Sequence, residues 1–361
     1  MKLFLISHGD YDYDGRLREL FKMFSGFGGL FAVTRGSNAQ NPRHRIYPRS
    51  GYLGFIRAVV AYGKECGPAD LLVLDNRKSV IPGLLLRGPL RPKIIVLDCR
   101  ELYVSKDVKH FVGKVGSFFE RIGIKRADIL ICANEERAGF MQELYHLRNR
   151  PLVYENLRRL EYSDGVAPGV QAEKFTRYLK EGEFRIISTA GCSVSRTTDI
   201  LVSSLKWLAF PFRLFLVGES TEADRSAIRC IIKEEGLEER VEILGRLNQD
   251  ELKYLISVCH IGVVNYSQAD LNNKFCASGK LYEFVYEGLP VITTTNPPLK
   301  RLCDTYRIGI ADDGYSSGIQ ELAEHYEEYR KNVRAFARMH TVEENNANLV
   351  RQLRERLPAL F

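Results

Sequence analysis

Phe184–Gly218 reads FRIISTAGCSVSRTTDILVSSLKWLAFPFRLFLVG. FRIIST at 184–189 has the β-branched, apolar content of a buried strand, a Gly- and Ser-containing turn follows, and residues 197–209 carry a helical pattern before FRLFLVG at 212–218 repeats the strand. Strand, turn, helix, strand is a βαβ unit, which predicts parallel pairing within a sheet covered on both faces. Outward from it the rhythm continues with VEIL at 241–244, a helix over 249–258, IGVVNY at 261–266, a helix over 279–287, the strand PVITT and an amphipathic helical region over 317–358. Upstream, strands are expected at 2–7, 29–34, 70–75, 93–97, 128–132 and 151–154, again alternating with helices. Between the two series, 157–182 lapses into polar sequence containing RRLEYSDGVAPG, read as a linker and a short helix. The expected fold class is α/β, with two Rossmann-like doubly wound domains facing a central cleft. The expected division is 1–165, 166–340, and a helix over 341–361 packing back on the first domain.

At 361 residues the chain is longer than the roughly 250–300 at which a single core stops growing, which agrees with two domains. Apolar residues at 45% and charged residues at 27% exclude bulk disorder. Apolar runs are far below the ~20 residues needed to span a bilayer, and MKLFLIS is too short for a signal-peptide core, so a cytoplasmic protein is expected. The eight Cys, with sixteen or more residues between neighbours, show no ligand or disulfide spacing and read as reduced thiols. Residues 1–170 hold 27 Lys+Arg against 18 Asp+Glu, whereas the remainder holds 25 against 27. From Leu20 to Lys64 there are seven basic residues, among them Arg43, Arg45 and Arg49, and no acidic one. Such a field suits phosphate-bearing ligands or an anionic membrane face, when it is not simply a solvated surface.

The stretch 272–293, NNKFCASGKLYEFVYEGLPVIT, carries the most chemistry. A loop runs into a short helix near Ser278, Gly279 and Lys280, whose free N–H groups suit a phosphate, and Lys280 adds charge. Glu283, one turn on, can accept two hydrogen bonds from ribose hydroxyls. In this place the sequence resembles the GT-B glycosyltransferases of family 4, the cell-surface polysaccharide type, through Asn273-Lys274, Lys280-Leu281-Tyr282-Glu283, Gly288-Leu289-Pro290 and Val291. The likeness continues at Gly191 and Arg196, in the position of a diphosphate loop, at Val217-Gly218-Glu219, and at VEILGRL with LISVCHIGVV. Phe275 stands where the family has the first of two Glu eight positions apart, and Cys192 and Arg196 replace the Arg and Lys of its diphosphate loop. The resemblance implies a retaining transferase that takes a UDP- or GDP-sugar donor, needs no cofactor or bound metal, and serves a glycan or lipid-linked diphosphate acceptor. It assigns Gly191, Arg196, Gly218, Glu219, Asn273, Lys274, Ser278, Gly279, Lys280, Leu281 and Glu283 to the donor.

In the first half, strand ends supply the acceptor-side candidates. His8 closes the first strand and could hydrogen-bond a substrate; Glu101 follows the strand KIIVLD, which Asp98 ends, and either carboxylate could orient an acceptor hydroxyl. Asp10-Tyr-Asp12-Tyr-Asp14-Gly15 begins like a calcium loop, but Phe21 stands where the final Glu is needed, so a cleft-edge loop or plain turn is expected. Over Ser105–Arg126, Val108, Phe111, Val112, Val115, Phe118, Phe119 and Ile122 recur at helical spacing beside Lys106, Lys109, Lys114, Arg121, Lys125 and Arg126. That apolar face has two uses, packing on the first sheet or contact with a lipid surface at the inner membrane face. Nucleic-acid binding by the aromatic and basic 20–64 region explains nothing in 184–312 and is set aside. A nucleotide-sugar-binding protein or epimerase of the same fold is the other reading.

Overall fold

The computed structural model describes residues 1–48, 51–102, 104, 111–163, 165–166 and 168–358. The chain divides into one unit of Met1–Asn156 with Val342–Phe361 and a second of Leu157–Thr341. The first border lies ahead of the expected 165/166 because Leu160, in the polar stretch, is buried in the second unit's core.

The first unit is built on β1 (Lys2–Asp10), β2 (Gly29–Arg35), β3 (His44–Tyr47), β4 (Leu71–Asp75), β5 (Ile94–Cys99), β6 (Ile129–Cys132) and β7 (Leu152–Val153). They form one parallel sheet in the order β3-β2-β1-β4-β5-β6-β7. Helices α1 (Gly15–Ser25), α2 (Tyr52–Cys66), α3 (Val80–Leu90), α4 (Phe111–Arg126) and α5 (Glu135–Tyr145) make the crossovers. Successive β1 residues Leu3 to Ile6 are all fully buried, as a strand covered on both faces requires. Leu3 and Leu5 meet Leu17, Leu20 and Phe24 of α1.

The second unit begins with α6 (Pro168–Phe175) and alternates β8 (Phe184–Ser188), α7 (Thr198–Ser204), β9 (Phe212–Val217), α8 (Glu222–Glu234), β10 (Val241–Gly245), α9 (Gln249–Ser257) and β11 (Ile261–Val264). After α10 (Leu271–Lys274) and α11 (Gly279–Tyr286) come β12 (Val291–Thr293), α12 (Pro297–Tyr306), β13 (Gly309–Ala311), α13 (Ser316–Glu324) and α14 (Tyr326–Met339). This sheet is parallel in the order β10-β9-β8-β11-β12-β13. Chain direction across it reverses between β8 and β11, and in the first sheet between β1 and β4, so each unit has a switch point where loops diverge from the carboxyl ends. The expected helical region over 317–358 is three helices. The last, α15 (Val342–Arg356), buries Leu349 and Leu353 in the first unit's core.

Candidate functional site

At the switch point of the second sheet, the chain leaving β8 makes a tight turn through Gly191, whose φ is +67° and whose N–H donates to Val217 O over 2.9 Å. A Cβ built on Gly191 would meet Glu219 O at 2.6 Å, so the β8 loop lies directly against the backbone after β9. Gly218, at φ +132°, fits against Gly191 from the other side. The loop then closes a short 3₁₀ turn over Val194–Arg196 before α7, with Thr197 at φ +60° and its hydroxyl 2.5 Å from Tyr315 OH.

Helix α11 brings its first two turns to this loop. Lys280 Nζ donates to Thr189 O over 2.6 Å. Burial and the nearby Arg196 pull its pKa down to about 8, with Arg158 adding to the effect against the opposing pull of Glu283. Glu283 is only 3% exposed, and its Oε1 lies 2.8 Å from Arg158 Nε, a residue on the surface of the former linker. Burial holds the Glu283 carboxyl above the usual carboxylate range, although Arg158 and Lys280 both oppose this. Two buried hydroxyls beside these groups, Ser278 Oγ and Thr189 Oγ1, have no hydrogen-bond partner. Buried hydroxyls without partners mark a place where a polar ligand can complete the set.

Arg196 lies 4.1 Å from the Tyr266 ring centroid, and its carbonyl accepts from Asn265 Nδ2 after β11. Tyr266 N donates to Thr294 Oγ1 over 3.0 Å and Thr294 Oγ1 donates to Asn296 Oδ1 over 2.6 Å. Asn296 Nδ2 in turn donates to Asn273 O over 2.9 Å, so the carboxyl ends of β11 and β12 are laced to the α10 segment. Asn273 itself is held by Asp270, and the Lys274 ammonium sits 5.9 Å from the Phe275 ring centroid.

Of the residues assigned to the donor, Gly191, Arg196, Gly218, Lys280 and Glu283 gather here, with Ser278 and Gly279 at the start of α11. Leu281 is 1% exposed within the hydrophobic core, so it packs the helix and does not face a ligand. The Glu219 side chain pairs with Arg246 over 2.7 Å on the surface, and only its backbone touches the loop. Sequence reasoning missed Arg158, Thr189, Tyr266 and Tyr315. The signal for Arg158 is the basic pair Arg158-Arg159 just past Asn156-Leu157, in a segment read as linker.

The acceptor-side candidates are spread along the carboxyl edge of the first sheet. Asp98 is fully buried and accepts from Arg16 Nη2 and Nε at 2.8 and 3.0 Å, with Arg100 Nε 3.6 Å away. Arg100 also pairs with Asp14 and, over 2.5 Å, with Asp75. The Asp98 carboxylate expected to orient a hydroxyl is thereby held by two guanidinium groups, because a buried charge is retained only where it is paired. Asp14 caps α1 by accepting from Leu17 N, and Asp12 accepts from Ser37 N, so these carboxylates shape a turn. His8 is half-buried, edge-on to Tyr52 and Phe55 at 5.6 and 4.9 Å. Burial, then Lys78 and Arg35, lower its pKa to about 4, which leaves a neutral imidazole. Glu101 is half-buried; burial raises the carboxyl of neighbouring Glu120 to about 8 against the opposing pull of Arg77, and Glu101 adds to the rise. Of the basic run, Arg43 lies 5.3 Å from the Phe31 ring centroid and Arg45 pairs with Glu65, while Arg49 lies outside the described residues. Among the described residues no helix is long and apolar enough to cross a membrane.

Solved structures share this architecture. Anabaena HepE, crystallised with UDP and glucose, is similar at TM-score 0.72 and 15% identity, with 98% of this chain and 100% of that one covered. WaaG, a glycosyltransferase involved in lipopolysaccharide biosynthesis, is similar at TM-score 0.65 and 13% identity over 96% of this chain and 98% of its own. A UDP-N-acetylglucosamine 2-epimerase is similar at TM-score 0.60 and 11% identity over 98% and 95%. No family model matches the chain, and no curated protein matches it in sequence. What is shared at such identities is the architecture, and the chain has the fold of the GT-B glycosyltransferases, two Rossmann-like domains in tandem.

Proposed function

We propose that this protein is a retaining GT-B glycosyltransferase of the family 4 type, which holds a UDP- or GDP-sugar on its second unit and transfers the sugar to a lipid-linked glycan during surface polysaccharide assembly. The observation that carries the reading is the pairing of Lys280 and the buried Glu283 on α11 beside the Gly191 turn, at the switch point of the second sheet. Glu283 accepts the ribose hydroxyls in place of one Arg158 contact. Lys280, Arg196 and the α11 amino end take the diphosphate, and Ser278 and Thr189 hydroxyls supply donors that are unpartnered without it. These fixed cations stabilise the leaving nucleoside diphosphate, so the chemistry needs no metal from this chain's residues and turnover survives EDTA. His8 and Glu101 serve the acceptor by hydrogen bonding, and Asp98 acts only by fixing Arg16 and Arg100.

Isothermal titration with UDP and GDP tests the donor site. Glu283→Gln should weaken the preferred nucleotide by about 1–3 kcal/mol, because buried hydroxyls lose a charged acceptor, while leaving thermal unfolding near the parent's. Unchanged affinity would remove Glu283 from the site. The second reading, an epimerase or non-catalytic binder, is favoured by Phe275 in place of a donor-sugar Glu. Incubation with a labelled nucleotide sugar separates the two, since release of free nucleotide is expected of a transferase and isomerised nucleotide sugar of an epimerase.

A further inference from the structure

Helix α4 leaves much of its apolar content facing outward. Its inward side carries Ile124 at 3% exposed together with Ser117 and Glu120, each 4%, while Phe111 is 80%, Phe118 60% and Val115 38% exposed. Residues 111, 115 and 118 follow i, i+4, i+7 and therefore share one stripe, which Ile122 and Lys125 extend towards the helix end. Lys114 and Arg121 flank the stripe, and Lys125 and Arg126 close it in the last turn. The part of the predicted helix over 105–110 lies outside the described residues. At the carboxyl end of α4, Lys125 also borders a pocket of about 290 Å³ whose other walls include His146, Arg148, Arg150 and Arg356, with Asp128 the acidic group among them. Lys125 and Arg148 make no ion pair among the described residues, whereas Arg150 is held by Glu135 over 2.8 Å.

We propose that the outer face of α4 docks on an anionic phospholipid bilayer, with the aromatic stripe entering the headgroup and acyl boundary and the surrounding cations meeting lipid phosphates. Charge complementarity selects this occupant: among the described residues of α4 the exposed charged side chains are all basic, and residues 1–170 hold 27 Lys+Arg against 18 Asp+Glu. Exposed aromatic rings combined with basic flanks suit an interface with an apolar side and an anionic side. The Lys125–Arg148 pocket gives one headgroup phosphate a defined seat. The inference deepens the glycosyltransferase reading, since it places the acceptor side of the molecule where a lipid-linked glycan resides.

The test is co-sedimentation of the full chain, without nucleotide, with vesicles of phosphatidylcholine alone and with added phosphatidylglycerol. Sedimentation with the anionic vesicles only, diminishing as salt is raised, is expected. The Phe111→Ser/Phe118→Ser pair and the Lys114→Gln/Arg121→Gln pair should each lower the partition coefficient about tenfold or more, because each removes one of the two attractions. Both pairs alter exposed side chains, so thermal unfolding and UDP affinity should match the parent's. The titration with UDP contains no lipid, so a failed donor site and a failed membrane face give separate results. Parent protein left in the supernatant, or equal binding by parent and both variants, overturns the proposal. So does a parent that sediments as a dimer in solution and becomes monomeric in the Phe111→Ser/Phe118→Ser variant, which would make a second copy the occupant.

Discussion

Lys280 illustrates how one residue's surroundings set up an observable. Buried beside Arg196, it titrates near 8 in the empty site, and an incoming diphosphate favours its charged form. Nucleotide binding at pH 8 should therefore take up protons, and at pH 6, where the ammonium is already charged, this uptake should vanish. Titration calorimetry in buffers of differing ionisation enthalpy reads this directly, and Lys280→Met should abolish the difference between buffers. Gly191 is a second such residue: at φ +67° with Glu219 O in the way, Gly191→Ala should cost about 1–3 kcal/mol and displace the turn, seen as a lower Tm and weaker nucleotide binding. His44 shows the effect of pH on folding. Its Nδ1 accepts from Gln40 N over 3.2 Å and its Nε2 lies 2.9 Å from Thr34 Oγ1, so the neutral ring is satisfied, and burial lowers its pKa to about 4 against the opposing pull of Asp12. Between the unfolded value of 6.5 and about 4, the unfolded state binds a proton that the folded ring refuses, so stability contributed by His44 is lost as pH falls through that window. Thermal unfolding from pH 7 to pH 5 should fall less steeply for His44→Gln than for the parent.

Elements transmit these effects because they are packed without slack. Helix α11 crosses β11 at Gly262, where an added Cβ would come within 2.3 Å of the Phe284 ring. Gly262→Ala should destabilise the second unit by about 1–3 kcal/mol through overpacking and shift α11 outward with Lys280 and Glu283. A fall in nucleotide affinity larger than that from a surface change on the same helix, measured by titration, would show this coupling. Helix α4 obeys the same steric rule. A Cβ on Gly123 would meet Val80 Cγ1 at 2.7 Å and Leu97 Cδ2 at 3.5 Å, so its small-residue side approaches α3 and β5, and the bulky side has to turn out.

On the scale of the whole molecule, the first unit is closed by a helix that the chain supplies last. Leu349, Leu353 and Leu357 of the terminal segment are buried in its core, Tyr154 OH donates to Asn346 Oδ1 over 2.6 Å, and Asn346 Nδ2 donates to Glu19 over 2.7 Å. Each buried leucine contributes about 1.5–3 kcal/mol, so truncation after Thr341 should destabilise the first unit by several kcal/mol. Calorimetry of the truncated chain is expected to lower or abolish one transition while retaining the one assigned to the second unit by nucleotide stabilisation.

Strand and helix alternation fixed the parallel α/β class by itself, because a fully buried strand has to be apolar along its length and its crossover has to be a helix. Only β3 and β13 escaped notice, a four-residue strand reading HRIY and a three-residue one reading GIA, too short and mixed to carry a period. The Gly191 turn and the Lys280–Glu283 helix were legible too, since both are local in sequence. What spacing could not reveal were contacts between distant segments. Arg158 reaches Glu283 across more than a hundred residues, and Arg16 neutralises Asp98 across 82, which changes that carboxylate from an acceptor-facing group into a buried ion-pair partner. The direction of α4 was likewise decided by tertiary structure: its pattern defines an apolar stripe and a small-residue side, but which one meets the sheet depends on how closely α3 and β5 leave room for it.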